Sequence, residues 1–422
     1  MLPTALAHIL LPLILATSIL LMLIRPHGIR EVWWISGGAL LLVALRLIST
    51  DLAALAVIQG IDVYLFLIGM MLLAALARAE GVFDWVSAVV VRSAKGSSAR
   101  LFLLVYIVGT VVTVFMSNDA TAVVLTPAIL AAVRKAKIPP LPYLFVCAMI
   151  ANAASFVLPI SNPANLVVFH TGMPPLGRWL IAFGLPSVLS ILATYTVLRV
   201  FFRKDLRQTI DLIVDPVELK SGGILVLTGL ALMVAVLLAA SAMKKDLGLP
   251  TCLAALAITA VASLRSKSNP LKLFREISWG TLLLVAGLFV LVDAAESQGA
   301  LRLTQQWLVY AQRLAPATGT IVVGFVVGIT NNLINNLPLG LITGGTIQAA
   351  HLKGLLTNAT LIGIDLGPNL SVTGSLATIL WLLALREEKL DVGFWKFLQV
   401  GLFAMPIALA ASLGGAILMA RF

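Results

Sequence analysis

The chain has 422 residues, of which 60% are apolar and 11% charged, against about 45–50% and about 25% in average soluble proteins. That composition excludes a soluble enzyme, a disordered scaffold and a nucleic-acid binder. The formal net charge of +11 is therefore read first as membrane topology.

In chain order, residues 3–24 are apolar from the start and read as a membrane span, not a cleaved signal. Spans follow at 33–50 and 63–79. Residues 82–93 are amphipathic, carry Trp85 and are too short to cross, which suits an interfacial arm. The apolar run 101–133 is interrupted by Ser117, Asn118 and Asp119. These are helix N-capping residue types, so they predict a re-entrant hairpin with its tip at the cluster. The span 141–169 contains Pro159, Ser161, Asn162, Pro163 and Asn165, which cannot continue a regular helix. A regular span, 179–201, closes the first half.

A basic linker, 202–222, leads to spans at 223–243, 249–264 and 279–295. Residues 300–314, with Trp307, form a second amphipathic arm. A second hairpin is predicted over 316–350, with Asn331, Asn332, Asn335 and Asn336 before Pro338, a residue suited to the first turn of a returning helix. A second broken span, 358–385, is interrupted at Gly367, Pro368, Asn369 and Gly374, and 394–420 is the last. The expected fold is an all-α polytopic membrane protein of about ten transmembrane helices.

The two halves resemble each other. Arg46 matches Arg265 at an offset of 219, Gly69 and Gly81 match Gly287 and Gly299 at 218, and Asn118–Asp119 match Asn335–Asn336 at 217. Thr126 falls on Thr343 at the same 217. Aligning Asn152 with Asp365, an offset of 213, places Ala164 on Ala377 and Asn165 on Thr378. Five crossings per half make the repeats inverted, 1–201 and 223–422, each with a hairpin and a broken helix. With that topology, 21 of the 29 basic residues fall on one side. The positive-inside rule makes that side cytoplasmic and puts both termini outside the plasma (inner) membrane.

Within hydrocarbon, broken helices are tolerated only where protein or a wet cavity surrounds them. A hairpin tip and a broken helix from each half are the usual parts of a midplane binding site. The candidate substrate-binding residues are Ser117, Asn118, Asn162, Asn165, Asn335, Asn336, Thr373, Ser375 and Thr378, with Asn152, Ser161, Thr126 and Thr343 as secondary candidates. Of 18 acidic residues only Asp119 and Asp365 lie at the breaks, and they are the candidates for proton coupling. Cys147 and Cys252 are too far apart in sequence to suggest a metal site, and no Gly-Lys dipeptide exists to build a phosphate loop. No cofactor or resident metal is expected.

The stretches SNDATAVVLTP (117–127), SNPAN (161–165), NNLP (335–338) and, most specifically, DLGPNLSVTGSLATILW (365–381) resemble the arsenical pump membrane protein (ArsB) family of the ion transporter superfamily. The resemblance implies a secondary transporter that exports arsenite and antimonite in exchange for protons. It also implies that a separate arsenite-stimulated ATPase can dock on the cytoplasmic face. The chain departs from the resemblance at Asn152, where proton-coupled members carry Asp in an Ala-Asp-Thr-Ala-Ser stretch.

The chemistry of the substrate fits independently. Arsenite near neutral pH is As(OH)3, a small neutral trihydroxide. Capture as a tris-thiolate needs three cysteines, whereas amides, hydroxyls and a carboxylate can recognise the hydroxyl groups. The alternatives are a sodium/proton antiporter, a sodium-coupled anion carrier, or a membrane subunit inert without its ATPase. Beyond arsenite or antimonite and protons, the expected partner is membrane lipid.

Overall fold

The computed structural model describes residues 4–170, 172–208, 217–243, 245–266, 270–297, 299 and 301–420. Part of the linker, and Lys244, Lys267 and Arg421 from the charge count, lie outside the described residues. Those that are described form helices and turns, with no strand among them.

The first half runs α1 (Thr4–Ile24), α2 (Glu31–Ala44), α3 (Thr50–Gln59), α4 (Ile61–Ala79), α5 (Val82–Ser93), α6 (Ser98–Met116), α7 (Asn118–Ala120), α8 (Thr126–Lys135), α9 (Leu141–Ala153), α10 (Pro163–Val168) and α11 (Leu176–Phe201). The second runs α12 (Ser221–Ala242), α13 (Gly248–Ser266), α14 (Pro270–Glu276), α15 (Trp279–Ser297), α16 (Arg302–Gln312), α17 (Pro316–Ile334), α18 (Asn336–Ala349), α19 (Leu355–Leu366), α20 (Leu376–Glu387) and α21 (Phe394–Met419). Among these, α4, α6, α11, α12, α13, α15, α17 and α21 are long and apolar enough to cross a membrane, and α1, α2, α3 and α9 supply shorter apolar segments. Many large apolar side chains point outward, Leu40 and Leu264 among them, as expected where lipid is the solvent. The predicted spans and arms correspond to helices. The helix α3 was not anticipated; it starts at Ser49, whose side chain accepts from the Leu52 amide at 3.1 Å.

Close helix contact in hydrocarbon depends on small residues, because apolar surfaces gain little by leaving lipid. Gly69 of α4 packs on the backbone of Thr251 in α13, and Gly287 of α15 packs on Ile35 and Ser36 in α2. The third predicted span of each half, α4 or α15, thus seats the second of the other, α13 or α2. A glycine-lined seam joins α17 to α19. A Cβ on Gly363 would lie 2.7 Å from the Gly324 carbonyl oxygen, and one on Gly367 would lie 2.5 Å from that of Gly328. Gly324 and Gly328 of α17 therefore face Gly363 of α19 and Gly367 at its C-terminal end, each pair four apart. Asn331 and Asn332 extend this seam, donating to the carbonyls of Ile364 (2.5 Å) and Gly367 (3.0 Å).

At the tip of each hairpin the backbone is left-handed at one residue, Ser117 (φ 116°) and Asn335 (φ 81°). Beyond the first tip α8 packs on α5, and beyond the second α18 packs on α16. Each hairpin therefore returns to the arm from which it departed. The tips pair Ser117 with Asn335 and Asn118 with Asn336, an offset of 218, one more than the sequence comparison assigned. The difference is absorbed immediately afterwards, where Thr121–Leu125 form a π-helical turn. A π-turn holds one extra residue, so the offset falls to 217 by Thr126 and Thr343. Thr126 Oγ1 donates to the Thr121 carbonyl at 2.9 Å, satisfying an acceptor within that turn.

Each broken helix comprises two short helices joined by irregular chain: α9 to α10 through a turn at Pro159–Ser161, and α19 to α20 through turns at Gly367–Asn369 and Val372–Gly374. The second segment of each packs on the hairpin of the other half, α10 on α18 and α20 on the π-turn. Four chain breaks are thereby gathered into one region.

Candidate functional site

Both short segments begin with a capping side chain. Asn162 Oδ1 accepts from the Ala164 amide at 3.0 Å, and Ser375 Oγ accepts from the Thr378 amide at 3.1 Å. Each capping residue also reaches across to the other half. Asn162 Nδ2 donates to Asp365 Oδ1 at 2.6 Å, and Ser375 Oγ donates to Asn152 Oδ1 at 3.3 Å. At an offset of 213 these two contacts are the same contact, once with a carboxylate and once with an amide.

The pocket proper lies between the hairpin tips. Asn118, Asp119, Asn162, Thr281 and Asn336 line it together with the start of α20. Its free volume is about 10 Å³, roughly the space for one water. It adjoins a larger cavity of about 160 Å³ that shares Asp119, Pro163 and Thr281 and extends past Ser117 and Ser278 to exposed Arg78 and Glu276. Asp119 is half-buried, whereas Asn118 and Asn336 are each 2% exposed. Among the described residues Asn118 Oδ1 and Asn336 Oδ1 have no hydrogen-bond partner; Asn165 Oδ1 and Asn331 Oδ1 are also unpartnered but do not line this pocket. A buried amide oxygen without a donor is costly, so the tips present two acceptors awaiting a donor or a cation, beside a carboxylate. Among the described residues, no basic one lines the tip pocket.

The other predicted residues stand behind this surface. Asp365 is fully buried and touches the site through Asn162; its Oδ2 lacks a partner. Asn165 faces inward, donating to the Ser155 carbonyl at 2.9 Å and approaching those of Leu158 and Pro159 at 3.3 Å. It satisfies the backbone that the break exposes. Ser161 ties the break to the Val114 carbonyl of α6 at 3.0 Å. Asn152 bonds Asn369 at 3.0 Å and Thr378 at 3.3 Å, and Thr378 shares a 2.7 Å hydrogen bond with Ser375. Asn335 donates to the Thr373 carbonyl, and Thr373 donates to that of Asn332, both at 3.0 Å. Thr343 bonds its own helix at Leu339 (2.7 Å). Cys147 and Cys252 are buried in separate helices, α9 and α13.

A family model described as a citrate transporter, CitMHS, matches residues 5–365. The chain belongs to the CitMHS family. Over 419 residues it is 26% identical to an arsenical pump membrane protein of Escherichia coli, covering 92% of this chain and 94% of the relative. Over 422 residues it is 24% identical to an arsenical pump membrane protein of Yersinia enterocolitica, covering 93% and 95%. The fold is similar to that of the Alcanivorax borkumensis YdaH transporter, described as having an unusual topology, with a TM-score of 0.57 and 16% identity over 89% of this chain and 88% of that one. This CitMHS member is a multi-pass membrane transporter.

Two residues of the site escaped the sequence reading. Thr281 lines both the tip pocket and the larger cavity, and Ser278 lines the latter. They bond each other at 2.8 Å at the start of α15, so in sequence they look like ordinary helix-start residues. Asn332 is a hub that sequence placed only within a cluster. Its Oδ1 accepts from both the amide (3.1 Å) and the hydroxyl (2.7 Å) of Ser371.

Proposed function

We propose that this transporter exports arsenite and antimonite as neutral trihydroxides, by alternating access and in exchange for protons. The observation that carries the reading is the set of unpartnered acceptors at the tips, Asn118 Oδ1 and Asn336 Oδ1, next to the Asp119 carboxylate. As(OH)3 and Sb(OH)3 bring three hydroxyl donors and no charge, so they match acceptors without needing a cation from the protein. The arsenical pump relatives favour the same substrate. Citrate, carrying several negative charges, would need basic partners, and the tip pocket has none.

Exchange follows if proton and substrate compete for one acceptor. An ionised Asp119 accepts from a substrate hydroxyl; once protonated, it loses that capacity. Asp365 acts one bond away, through the cap of α10. The inverted arrangement of the halves is part of the proposal, and the reciprocal packing of α4 on α13 and α15 on α2 supports it. So do Gly81 and Gly299, both at φ 71° at equivalent helix junctions. With the basic face inside, both termini lie outside, and the cavity from Arg78 to Asp119 opens to the cytoplasm. The tips must part for the substrate to enter the small pocket between them. The hairpins and broken helices would move against a scaffold containing the first two spans of each half.

The same oxygens would also suit a sodium ion, which makes sodium/proton exchange the reading to be distinguished. Proteoliposomes loaded at acid pH test both. Arsenite uptake that rises with the pH gradient, is indifferent to sodium and is lost in Asp119→Asn supports the proposal. Full gradient-driven arsenite transport in both Asp119→Asn and Asp365→Asn overturns the coupling model, and sodium flux without arsenite flux favours the antiporter. Because the liposomes contain no ATPase, transport in them also rules out an obligate dependence on such a partner.

A further inference from the structure

A third cavity lies on the far side of the second hairpin. Its volume is about 470 Å³, and its walls come from α1 (Leu15, Ile19), α15 (Leu291), α16 (Trp307) and α18 (Pro338, Ile342). It is a cleft open on one side, its lining is mainly apolar, and no described side chain fills it. Next to it, sharing Leu301, lies a polar pocket of about 530 Å³ lined by Glu296, Arg302, Gln305 and Thr346. The change from apolar to polar falls along one helix. Pro338, Leu339, Ile342 and Thr343 of α18 line the apolar cavity, and Gly345, Thr346 and Ala349, further along, line the polar pocket.

From Pro338 to Ala349, α18 rises about 17 Å, close to half of a roughly 30 Å hydrocarbon core. The paired cavities therefore have the length and polarity of one leaflet's lipid. The α16 surface agrees: Leu303 and Tyr310 are 77% and 61% exposed, and Trp307, a residue type enriched at membrane interfaces, lines the apolar cavity. The polar pocket contains charges of both signs. Arg302 and Glu296 form no ion pair with each other or with any other described residue.

We propose that this paired cavity is a binding site for a phospholipid with an amine headgroup. The acyl chain occupies the apolar cavity behind the hairpin tip, the phosphate meets Arg302, and the headgroup ammonium meets Glu296. A phosphate without the ammonium would leave Glu296 opposing it, so anionic lipids bind less well. The chain touches Ile334 and Pro338, on either side of the tip residues Asn335 and Asn336. The bound lipid therefore fills the space between the hairpin and α1. This site does not depend on the identity of the transported substrate.

Native mass spectrometry of the purified full chain, exchanged into detergent with phosphatidylethanolamine or phosphatidylglycerol, tests the assignment. The expected result is retained phosphatidylethanolamine at several-fold higher occupancy than phosphatidylglycerol. Arg302→Gln should lower that occupancy at least fivefold, and Glu296→Gln should erase the preference. Val326→Trp, a substitution at the exposed mouth of the cavity, should displace the lipid; if that variant misfolds, the two headgroup variants decide. Equal occupancy of both lipids in the native chain, or unchanged occupancy in Arg302→Gln, overturns the proposal.

Discussion

Asn118 and Asn336 provide the sharpest test of the tip pocket, because their carbonyl oxygens are buried yet accept nothing. Truncating a side chain that holds other groups leaves partners stranded and costs stability. Truncating these two strands nothing, so Asn118→Ala and Asn336→Ala should fold with melting temperatures close to that of the parent. Transport should nevertheless suffer. One neutral hydrogen bond contributes about 0.5–1.5 kcal/mol, and 1.4 kcal/mol is about tenfold in affinity. Each variant should therefore raise the arsenite concentration for half-maximal flux by about 2–12-fold. The double variant should approach the product of the two, reduced to the extent that the neighbouring sites couple. The assay is initial-rate arsenite uptake into everted vesicles across a concentration series, normalised to folded protein. Unchanged half-saturation in both single variants, with stability intact, would refute the assignment of these oxygens as substrate acceptors.

Other substitutions separate structure from function. Asn152→Ala removes bonds to Asn369, Thr378 and Ser375 inside a fully buried network, so it should cost about 2–4 kcal/mol, read as a lower melting temperature in detergent. Gly363→Val should destabilise by about 1–3 kcal/mol or more, because its Cβ alone would press on the Gly324 carbonyl; an unchanged melting curve would mean that the α17–α19 seam is not close-packed. Cys147→Ala and Cys252→Ala should retain arsenite transport, and a selective loss of arsenite affinity in either would point to thiol capture.

The sequence revealed the breaks because they depend on local chemistry. Proline and capping residues clustered inside apolar runs end helices, as Ser117, Asn162, Pro163 and Asn335 do here, whereas the isolated Pro12, Pro186 and Pro406 sit inside continuous helices. What it could not reveal was which side chain faces the pocket. Asn162 and Asn165 are the same residue type three positions apart, yet one caps α10 and reaches Asp365 while the other turns inward to carbonyls freed by the break. That choice depends on which backbone groups the tertiary structure leaves unpaired. The π-turn was invisible for a similar reason: TAVVL is an unremarkable apolar string, and only the tip geometry shows the extra residue it absorbs. The helix α3 was missed because Thr50–Gln59 is too short and mixed to read as a span.

The carboxylate at Asp365 poses a last question, whether its position matters or only its presence. If the halves are inverted repeats, Asp365 and Asn152 occupy equivalent positions, and moving the acid from one to the other conserves charge and burial. Their neighbours differ, however. Asp365 faces a donor, the Asn162 amide nitrogen. Asn152 instead presents its own nitrogen to an acceptor, Asn369 Oδ1, at 3.0 Å, while Asn369 Nδ2 is already committed to the Met149 carbonyl. An ionised Asp at 152 would set two oxygens against each other at that distance, gaining only the hydroxyls of Ser375 and Thr378. The swap Asn152→Asp with Asp365→Asn should therefore fail to restore any proton-coupled exchange lost in Asp365→Asn, and should melt lower than Asp365→Asn alone. Measuring pH-gradient-driven arsenite uptake in the two variants at equal folded amounts decides the matter. Recovery of coupling by the swap would show that either half can carry the proton and that the neighbours identified here do not select its place.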